Sequence, residues 1–321
     1  MRAAWYERFG AGSEVLEVGE MDVPEPGPGE VLIRLYASGI NPSDVKLRAG
    51  ARPGAEMAYP RVVPHSDGAG VVVGGAMAEG TRVWVWNAGW QRAMGTAAEY
   101  VCLPVSQVAE LPDGTSFAEG ACLGIPAMTA WYALDGVGPG DTVLVTGGAG
   151  SVGRYACQMG ALLGARVITT VSSAEKAAHS TCADWINYRD ADVPEAVMDL
   201  TGEAGLDRIV DVDFAANQTV AVACLKPGGV VASYASASRM VPELQFYPLM
   251  FKNITLRMLI VYQLAGADRA RGTEALNAWL AAGALRHAVV PGGGLEDIAA
   301  AHDRVATGEK LGTVVLEMPD G

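Results

Sequence analysis

A strand, a glycine-rich turn and a helix follow one another between residues 141 and 164, and this order constrains the fold more than any other part of the chain. The apolar, β-branched run 142–145 predicts a buried strand, and Gly147, Gly150 and Gly153 follow it. Such a turn lets the backbone approach a phosphate, and the helix start offers free N–H groups. The pattern predicts a dinucleotide pyrophosphate site. A tight turn in another α/β protein stays open as an alternative, because the spacing is GxxGxxG and not GxGxxG.

The end of the next predicted strand, Arg166–Val171, indicates which dinucleotide is bound. An NAD site places an acidic residue there, about twenty residues after the glycines, to bind the ribose hydroxyls. This chain has Ser172 and Ser173 instead, with Lys176 nearby. Hydroxyl groups and a cation suit a 2′-phosphate, which favours NADP(H), although Glu175 argues against it. Alternatively, one of the serines caps the helix that follows, and one serine could do both.

Composition bounds the class of protein. The 321 residues are 50% hydrophobic and carry a formal charge of −13, so the chain can bury a large core and is expected to bind neither nucleic acid nor an anionic membrane. The five cysteines include no C-x-x-C pair, which is typical of structural thiols. We find no signal-peptide core and no apolar run of membrane-spanning length, and therefore expect a soluble, cytoplasmic protein.

Two regions of different pattern divide the chain. Up to about residue 115, short strand-like runs alternate with Gly and Pro, which favours an antiparallel barrel or sandwich. A helical stretch containing Pro126 follows, and strands then alternate with helices, which predicts a doubly wound parallel sheet. The last predicted strand, Gly312–Glu317, lies too far along to join that sheet. We expect it to return to the first domain.

Several separated motifs accompany the glycine turn, at segments 37–50, 66–70, 95–100, 124–130, 186–188 and 252–257. Together they resemble the zinc-independent, zeta-crystallin-type quinone oxidoreductases of the medium-chain dehydrogenase/reductase superfamily, over nearly the whole chain. The resemblance implies an α/β protein with a GroES-like β-barrel catalytic domain (1–117 and 256–321) and a Rossmann NADP-binding domain (118–255).

The same resemblance argues against a metal. Zinc-dependent relatives have a Cys ligand where this chain has Asn41, and a His ligand where it has Ser66. His65 is displaced by one position, and a lone His makes a poor zinc site. We therefore expect no metal, and read His65 as a hydrogen-bonded residue of a turn or of the cleft lining. The remaining histidines are predicted to be solvated residues on helices: His179, His287 and His302.

Site residues are carried over from the family position by position. The catalytic candidates are Asn41, Asp44 and Thr129, of which Asn41 could orient a substrate carbonyl or simply form an Asn-Pro turn. A family tyrosine near Lys46 is missing, so the proton donor is not identified. The predicted cofactor-binding residues are Asn41, Thr129, Gly147, Ala149, Gly150, Ser151, Val152, Gly153, Ser172, Ser173, Lys176, Tyr188, Tyr234, Ala235, Lys310 and Gly312.

The function implied is hydride transfer from NADPH to a small-molecule quinone. Reduction of an activated C=C bond in an enone or alkenal shares every motif and is the first alternative. A catalytically weak NADPH-sensing or structural protein is a second, kept open by the missing tyrosine. The family resemblance also implies a homodimer formed through an edge of the nucleotide-binding sheet.

Overall fold

The protein consists of two compact units. The structure, a computed structural model, describes residues 1–51, 54–308 and 310–318. The first unit contains Met1–Pro126 and Arg269–Gly321, and the second contains Ala127–Asp268. Thus both ends of the chain contribute to the first unit, as the sequence suggested. No helix of the described ranges has the length and hydropathy needed to cross a membrane.

Strands and helices are numbered here in chain order. The strands are β1 (Arg2–Trp5), β2 (Glu17–Glu20), β3 (Glu30–Ile40), β4 (Asp67–Gly75), β5 (Arg82–Val85), β6 (Tyr100–Pro104), β7 (Val108–Glu110), β8 (Thr142–Thr146), β9 (Arg166–Val171), β10 (Asp184–Asn187), β11 (Leu206–Asp211), β12 (Leu225–Ser233), β13 (Thr255–Met258), β14 (Val289–Pro291) and β15 (Thr313–Glu317). The α-helices are α1 (Gly12–Val15), α2 (Pro42–Arg48), α3 (Phe117–Gly120), α4 (Met128–Ala133), α5 (Ser151–Leu162), α6 (Ala174–Ser180), α7 (Val193–Thr201), α8 (Phe214–Cys224), α9 (Phe246–Phe251), α10 (Gly266–Ala281) and α11 (Ile298–Ala306).

The first unit is built on a mixed, mainly antiparallel sheet. Its strands follow the order β14-β15-β3-β4-β5-β7, and β6 pairs with β3. Strand β3 alternates buried and half-buried side chains along most of its length, as expected for a strand with one face on the core. The last strand, β15, pairs antiparallel with β3 from Val314↔Ile40 to Glu317↔Ala37. This pairing confirms that the end of the chain returns to the first domain.

The second unit contains a parallel sheet in the order β10-β9-β8-β11-β12-β13. Relative to the first strand of the unit this is the Rossmann order 3-2-1-4-5-6, in which ligands bind at the carboxyl ends of the strands. Apolar side chains of the strands and of α7, α8 and α9 pack into one cluster, which includes Leu144, Ile168 and Ile209. The fold class predicted from the sequence is therefore confirmed.

The unit boundaries lie later in the chain than the sequence placed them. Helix α3, after residue 117, packs against β3 and β4 and belongs to the first unit. Strand β13 extends the parallel sheet beyond residue 255 because Val230–Ser233 pair with Thr255–Met258. The predicted helical stretch around Pro126 is also interrupted. A π-helical turn, Leu123–Ala127, surrounds this proline, which has no N–H to donate to a regular helix.

Candidate functional site

The glycine turn of the second unit connects β8 to α5. Gly147 has a φ of +70°, and its N–H donates to Thr170 O (3.1 Å). A Cβ atom on Gly153 would lie 2.3 Å from Gly147 O, whereas one on Gly150 would lie 3.3 Å from the same atom. The turn is therefore closed by backbone packing that only glycine allows at Gly147 and Gly153.

The first N–H groups of α5 have no partner within the helix. The N-cap residue, Gly150, offers no side chain to satisfy them. Ala149 lies in the turn, and Ser151, Val152 and Gly153 form the first helical positions. The start of α5 presents the positive end of the helix dipole, which suits a phosphate group. The turn packs so closely against the protein that Cβ atoms at Gly148 and Gly153 would clash with Thr169 and Gly147.

The sequence missed one glycine of this turn. A Cβ atom on Gly148 would lie 2.0 Å from Thr169 Oγ1, so this position is more crowded than Gly150. Its N–H donates to Thr170 O at 3.2 Å. The signal was present as the Gly147-Gly148 doublet, but the GxxGxxG spacing hid its importance.

The predicted phosphate-binding residues lie at the carboxyl ends of β9 and β10. Ser172 is buried, and Ser173 caps α6 by accepting the backbone N–H of Lys176 (3.3 Å). Tyr188 is 51% exposed, and its backbone N–H donates to Val171 O (3.1 Å). The structure therefore gathers these predicted residues at one corner and shows that Ser173 caps α6. Its contact with a phosphate stays a prediction.

Arg189 at the same corner was not identified from the sequence. It directly follows Tyr188 and is exposed. Its backbone N–H donates to Asn187 Oδ1 (3.2 Å). The signal that could have found it is a cation immediately after the strand that carries Tyr188.

A buried carboxyl group, Asp211, ties the ends of three neighbouring strands together. It accepts Ser233 Oγ–H (2.8 Å), Asn217 Nδ2–H (2.7 Å) and Thr146 Oγ1–H (3.2 Å). Burial raises its pKa, and these hydrogen bonds oppose the rise. Its backbone carbonyl accepts the N–H of Tyr234 (3.1 Å). Asp211 thus holds the edge at which the sequence predicted cofactor contacts.

Two further predicted residues of the second unit have defined places. Ala235 follows Tyr234 and accepts the backbone N–H of Phe214 (2.9 Å). Thr129 is the second residue of α4 and is 4% exposed. Its side chain is therefore almost wholly enclosed by protein, and its predicted contact with a cofactor stays a prediction.

In the first unit, four of the motif segments meet around one buried carboxyl group, Asp67. Asp67 Oδ2 accepts Asn41 Nδ2–H (2.9 Å) and the backbone N–H of Ile125 (2.9 Å). Its backbone carbonyl accepts Thr96 Oγ1–H (2.7 Å). A Cβ atom on Gly124 would lie 2.3 Å from Asp67 Oδ1. Asn41, Thr96, Gly124 and Ile125, which come from three of the other motif segments, thus surround Asp67.

Asn41 lies between Asp67 and a second buried carboxyl group, Asp44. Its backbone N–H donates to Asp44 Oδ2 (2.8 Å), and Asn41 begins helix α2 as its N-cap residue. Burial raises the pKa of Asp44 to about 7, against the hydrogen bonds from Asn41. Burial and the nearby Asp44 raise the pKa of Asp67 well above its ordinary value. Both predicted residues are buried: Asn41 is 2% exposed and Asp44 is 7% exposed.

A chain of buried hydrogen bonds leads from Thr96 to the C-terminal helix. Ser38 Oγ lies 2.8 Å from Thr96 Oγ1 and 2.8 Å from His65 Nδ1. His65 Nε2 lies 2.8 Å from Nε2 of His302, and both imidazoles are at most 1% exposed. The prediction that His302 is solvated is therefore wrong. It lies on α11 and packs into the core of the first unit, because His65 offers it a hydrogen-bonding partner there.

The donor and acceptor of every hydrogen bond in this series can be assigned by starting from its Thr96 end. Thr96 donates to a carbonyl, which can only accept, so Ser38 donates to Thr96 and His65 donates from Nδ1 to Ser38. Neutral His65 then accepts at Nε2, and His302 donates from its Nε2. His302 Nδ1 is consequently a lone-pair nitrogen, and it is buried with no hydrogen-bond partner among the described residues. Burial lowers the pKa of His302 to about 3 and that of His65 well below its usual value.

The other two histidines are half-buried. His179 lies in α6, as predicted, and its carbonyl accepts a guanidinium N–H of Arg154. His287 lies in the segment before β14 and not in a helix. Its helical assignment was wrong, because α10 ends at Ala281 and Gly283 follows with a φ of +61°.

Lys310 and Gly312 lie beside β15 in the first unit. Lys310 Nζ donates to Gly312 O (2.7 Å), and burial lowers the pKa of Lys310 to about 8. Gly312 has a φ of +124°, and a Cβ atom there would lie 2.1 Å from Ala288 O. Backbone packing therefore requires glycine at position 312 whether or not a cofactor contacts it.

No group of three His, Cys, Asp or Glu side chains with the arrangement of a metal site occurs in residues 1–51, 54–308 and 310–318. At the two positions where zinc-dependent relatives have ligands, Asn41 donates to Asp67 and Ser66 is 3% exposed. The cysteines are free thiols, of which Cys182 is half-buried and the others are buried. The expectation of a metal-free protein stays a prediction.

Comparison with protein families identifies both parts of the chain. Residues 27–113 match the alcohol dehydrogenase GroES-like domain, and residues 151–279 match the family described as zinc-binding dehydrogenase. The two matches lie in the order expected of a GroES-like domain followed by a nucleotide-binding domain.

Curated relatives and solved structures match over nearly the full length. A quinone oxidoreductase from Pongo abelii is 30% identical over 320 residues, covering 96% of this chain and 94% of its own. A 2-haloacrylate reductase from Burkholderia sp. is 30% identical, covering 98% of both chains.

Among solved structures, an NAD-dependent alcohol dehydrogenase is 31% identical with a TM-score of 0.89, covering 99% of this chain and 100% of its own. The mycobacterial protein Rv1454c complexed with NADPH is 30% identical with a TM-score of 0.85 and the same coverage. The chain is therefore an oxidoreductase that belongs to the quinone oxidoreductase family of the medium-chain dehydrogenase/reductase superfamily.

Proposed function

We propose that this chain is an NADPH-dependent, zinc-independent oxidoreductase that reduces quinones. The observation that carries the proposal is the glycine turn of the second unit. Its backbone approaches so closely at Gly148 and Gly153 that Cβ atoms would lie 2.0 and 2.3 Å from their nearest neighbours. A glycine turn of this kind, followed by the positive end of the α5 dipole, suits a pyrophosphate. A mycobacterial protein of similar structure, 30% identical, was solved with NADPH.

The preference for NADPH over NADH depends on the corner formed by the ends of β9 and β10. We assign the 2′-phosphate to Ser172, Ser173, Lys176 and Tyr188, and add Arg189 because it is an exposed cation at this corner. Hydroxyl groups and cations stabilise a phosphate that a carboxylate would repel. The Ser173 hydroxyl can donate its hydrogen to the phosphate while its oxygen accepts the N–H of Lys176 that caps α6. The remaining assigned cofactor contacts come from Tyr234, Ala235, Lys310 and Gly312.

The protein's part in the reaction is to position the acceptor and limit access of water. When bound, NADPH supplies the hydride, which leaves the reduced acceptor in need of a proton. We assign Asn41 and Thr129 to orientation of the nicotinamide and the acceptor carbonyl, and Asp44 to the support of Asn41. Because Asn41 is 2% exposed, only a small part of its amide can meet a ligand. Position 46 is Lys, where the family often has tyrosine nearby. We assign the final proton to solvent, taken up after the hydride has been transferred.

An NADPH oxidation assay tests this function. We expect rapid oxidation with 1,4-benzoquinone, slower oxidation of NADH, and no effect of a chelator. K176A should weaken NADPH binding and leave NADH binding unchanged. The matched control is K226A, since Lys226 lies near the start of β12, away from the carboxyl edge, and pairs with Asp207 (2.7 Å). Equal effects of K176A on both cofactors would contradict the assigned phosphate corner.

Reduction of an activated C=C bond is the second candidate, favoured by the similarity to a 2-haloacrylate reductase. Parallel assays with an enone and a 2-haloacrylate separate it from quinone reduction. If NADPH binds and no acceptor is reduced, a sensing role becomes the better account.

We also propose a homodimer through the β13 edge of the parallel sheet. Strand β13 ends the sheet order, so one side of it has backbone groups available for a second copy. Large apolar side chains are exposed beside it, including Phe251 (79%), Met258 (58%) and Ile260 (45%). Light scattering should report a dimer, and M258K should shift it toward monomer. L162K, at an apolar side chain of α5 that is 43% exposed, is the matched control.

A further inference from the structure

Asp67 has two chemically different oxygen atoms. Oδ2 accepts two N–H donors, from the Asn41 amide and the Ile125 backbone, each at 2.9 Å. Oδ1 is buried and has no hydrogen-bond partner among the described residues. An ionised carboxylate in this place would leave a bare anionic oxygen, which is costly in a protein interior. The neutral acid, with Oδ2 as carbonyl and the proton on Oδ1, matches the two N–H donors at Oδ2 and leaves an uncharged O–H at Oδ1, which costs less to bury without a partner than an anionic oxygen does.

The charges around Asp67 come from several elements. Asp44 on α2 repels a negative charge there, whereas Arg269 on α10 attracts one. The Cys122 thiol is also close enough to interact with Asp67, and Tyr6 interacts with Asp44 and with Arg48. Burial is the largest influence and raises the pKa of Asp67 well above its ordinary value. Electrostatics thus agrees with the hydrogen-bond pattern.

We propose that Asp67 is a positioning residue, which fixes the Asn41 amide by accepting its N–H on Oδ2 while its own proton stays on Oδ1. Two features of the fold hold this arrangement. The backbone of Asp67 is fixed by the Thr96 hydrogen bond and by pairing with Gly39, and Gly124 leaves room for Oδ1. The proposal rests on the proposed function, in which Asn41 orients the acceptor. A charge on Asp67 would disfavour the negative charge that develops on the reduced acceptor nearby.

A double-mutant cycle in the full chain tests the proposal. D67A should lower kcat by at least about fivefold with little change in the KM for NADPH, and D67A should cost nothing further in the N41A background. D67N keeps an oxygen for Asn41 and Ile125 and should recover most of the kcat. The matched control is D207N, because Asp207 accepts Thr142 N–H and pairs with Lys226 in the other unit. N41A and D207N should be additive.

The pH profile gives a readout that a purely structural role would not move. Because the raised pKa means that the proton is lost as the pH rises, the kcat of the wild type should fall on the alkaline side. D67N cannot ionise and should lose this fall, whereas D44N should keep it. An alkaline fall that persists unchanged in D67N would assign it to another group and overturn the proposal.

A third measurement does not depend on activity. In protein labelled with ¹⁵N-asparagine, the side-chain amide of Asn41, assigned by its loss in N41A, should exchange slowly with solvent. Exchange should accelerate in D67A at least about tenfold and remain slow in D67N, since a held N–H exchanges through opening of its hydrogen bond. Unchanged exchange in D67A would overturn the proposal. If the wild type reduced no acceptor, the proposed function would fail. The exchange rate of the Asn41 amide would still show whether Asp67 positions Asn41.

Discussion

The two units solve the problem of placing polar groups in opposite ways. The second unit offers mainly backbone N–H groups, at a turn where glycine lets the chain close on itself. The first unit buries side chains, including Asp44, Asp67, His65 and His302, and links them by hydrogen bonds that leave Asp67 Oδ1 and His302 Nδ1 without a partner among the described residues. A backbone site requires only a short local pattern. A side-chain network requires several distant segments at once, and it is sensitive to protonation.

The difference in protonation should have the largest effect. Asp44 has its pKa raised to about 7, so its contribution to stability is present below about pH 4 and is lost as the pH rises to about 7. From the two pKa values, this loss amounts to about 4 kcal/mol at most. D44N should remove this contribution, so that the free energy of unfolding falls less steeply between pH 4 and 7 in urea titrations than in wild type, while the contribution of Asp67 remains. The same slope in D44N and wild type would show that Asp44 is not the group responsible.

Removal of His302 should have the next largest effect. H302A leaves His65 Nε2 without its donor and opens a cavity in the core, which we expect to cost about 3 kcal/mol in urea unfolding. The depressed pKa of about 3 also means that stability is lost as the pH falls from 6.5 toward 3, and H302A should lose this dependence. H287A, at a half-buried position, should stay within about 0.5 kcal/mol of wild type. Equal effects of the two variants would contradict the hydrogen-bonded chain.

The glycine turn offers a test of the backbone site. A Cβ atom at position 153 meets the carbonyl of Gly147 at 2.3 Å, so G153A should weaken NADPH binding at least about tenfold and destabilise the fold by about 2 kcal/mol. G150A is the matched control, because its Cβ atom would lie 3.3 Å from the same carbonyl. Fluorescence titration and thermal unfolding measure the two effects. If G150A lost more NADPH binding and stability than G153A, the close backbone approach assigned to Gly153 would be contradicted.

The smallest effect is expected at Ser173, a residue of the second unit whose side chain accepts a backbone N–H of α6. S173A removes the cap of α6 and should cost about 1 kcal/mol. If Ser173 also binds the 2′-phosphate, S173A weakens NADPH binding more than NADH binding. S236A is the control for both measurements, because Ser236 is half-buried like Ser173 and its hydroxyl donates to Arg239 O. Loss of stability with no change in cofactor preference would restrict Ser173 to its capping role.

Prediction from the sequence succeeded where the information is local. The strand Arg166–Val171 was predicted with its observed bounds, and β8 differs from its prediction by one residue. Ser173 was predicted as a possible cap because a cap needs only the residues that follow it. The boundary after residue 255 was misplaced, because only pairing with β12 decides whether β13 belongs to the parallel sheet.

The network around Asp67 could not be predicted in the same way. Ser38, His65, Thr96 and His302 come from distant parts of the chain, with the bonded pair His65 and His302 237 residues apart, and no spacing pattern relates them. His302 therefore resembled a solvated helix residue until α11 was placed against the sheet. The signal that existed was indirect: the motif segments of the family contain the residues that meet at Asp67.

The sequence by itself determined the class of fold, the order of the two domains and the glycine turn, because alternation of strands and helices and the φ angles open to glycine are properties of short segments. Only the tertiary structure decided which carboxyl and imidazole groups are buried together, which of them carry protons and which way each hydrogen bond points. These properties depend on burial and on partners brought from distant parts of the chain, and the free energy of a buried proton is set by those partners.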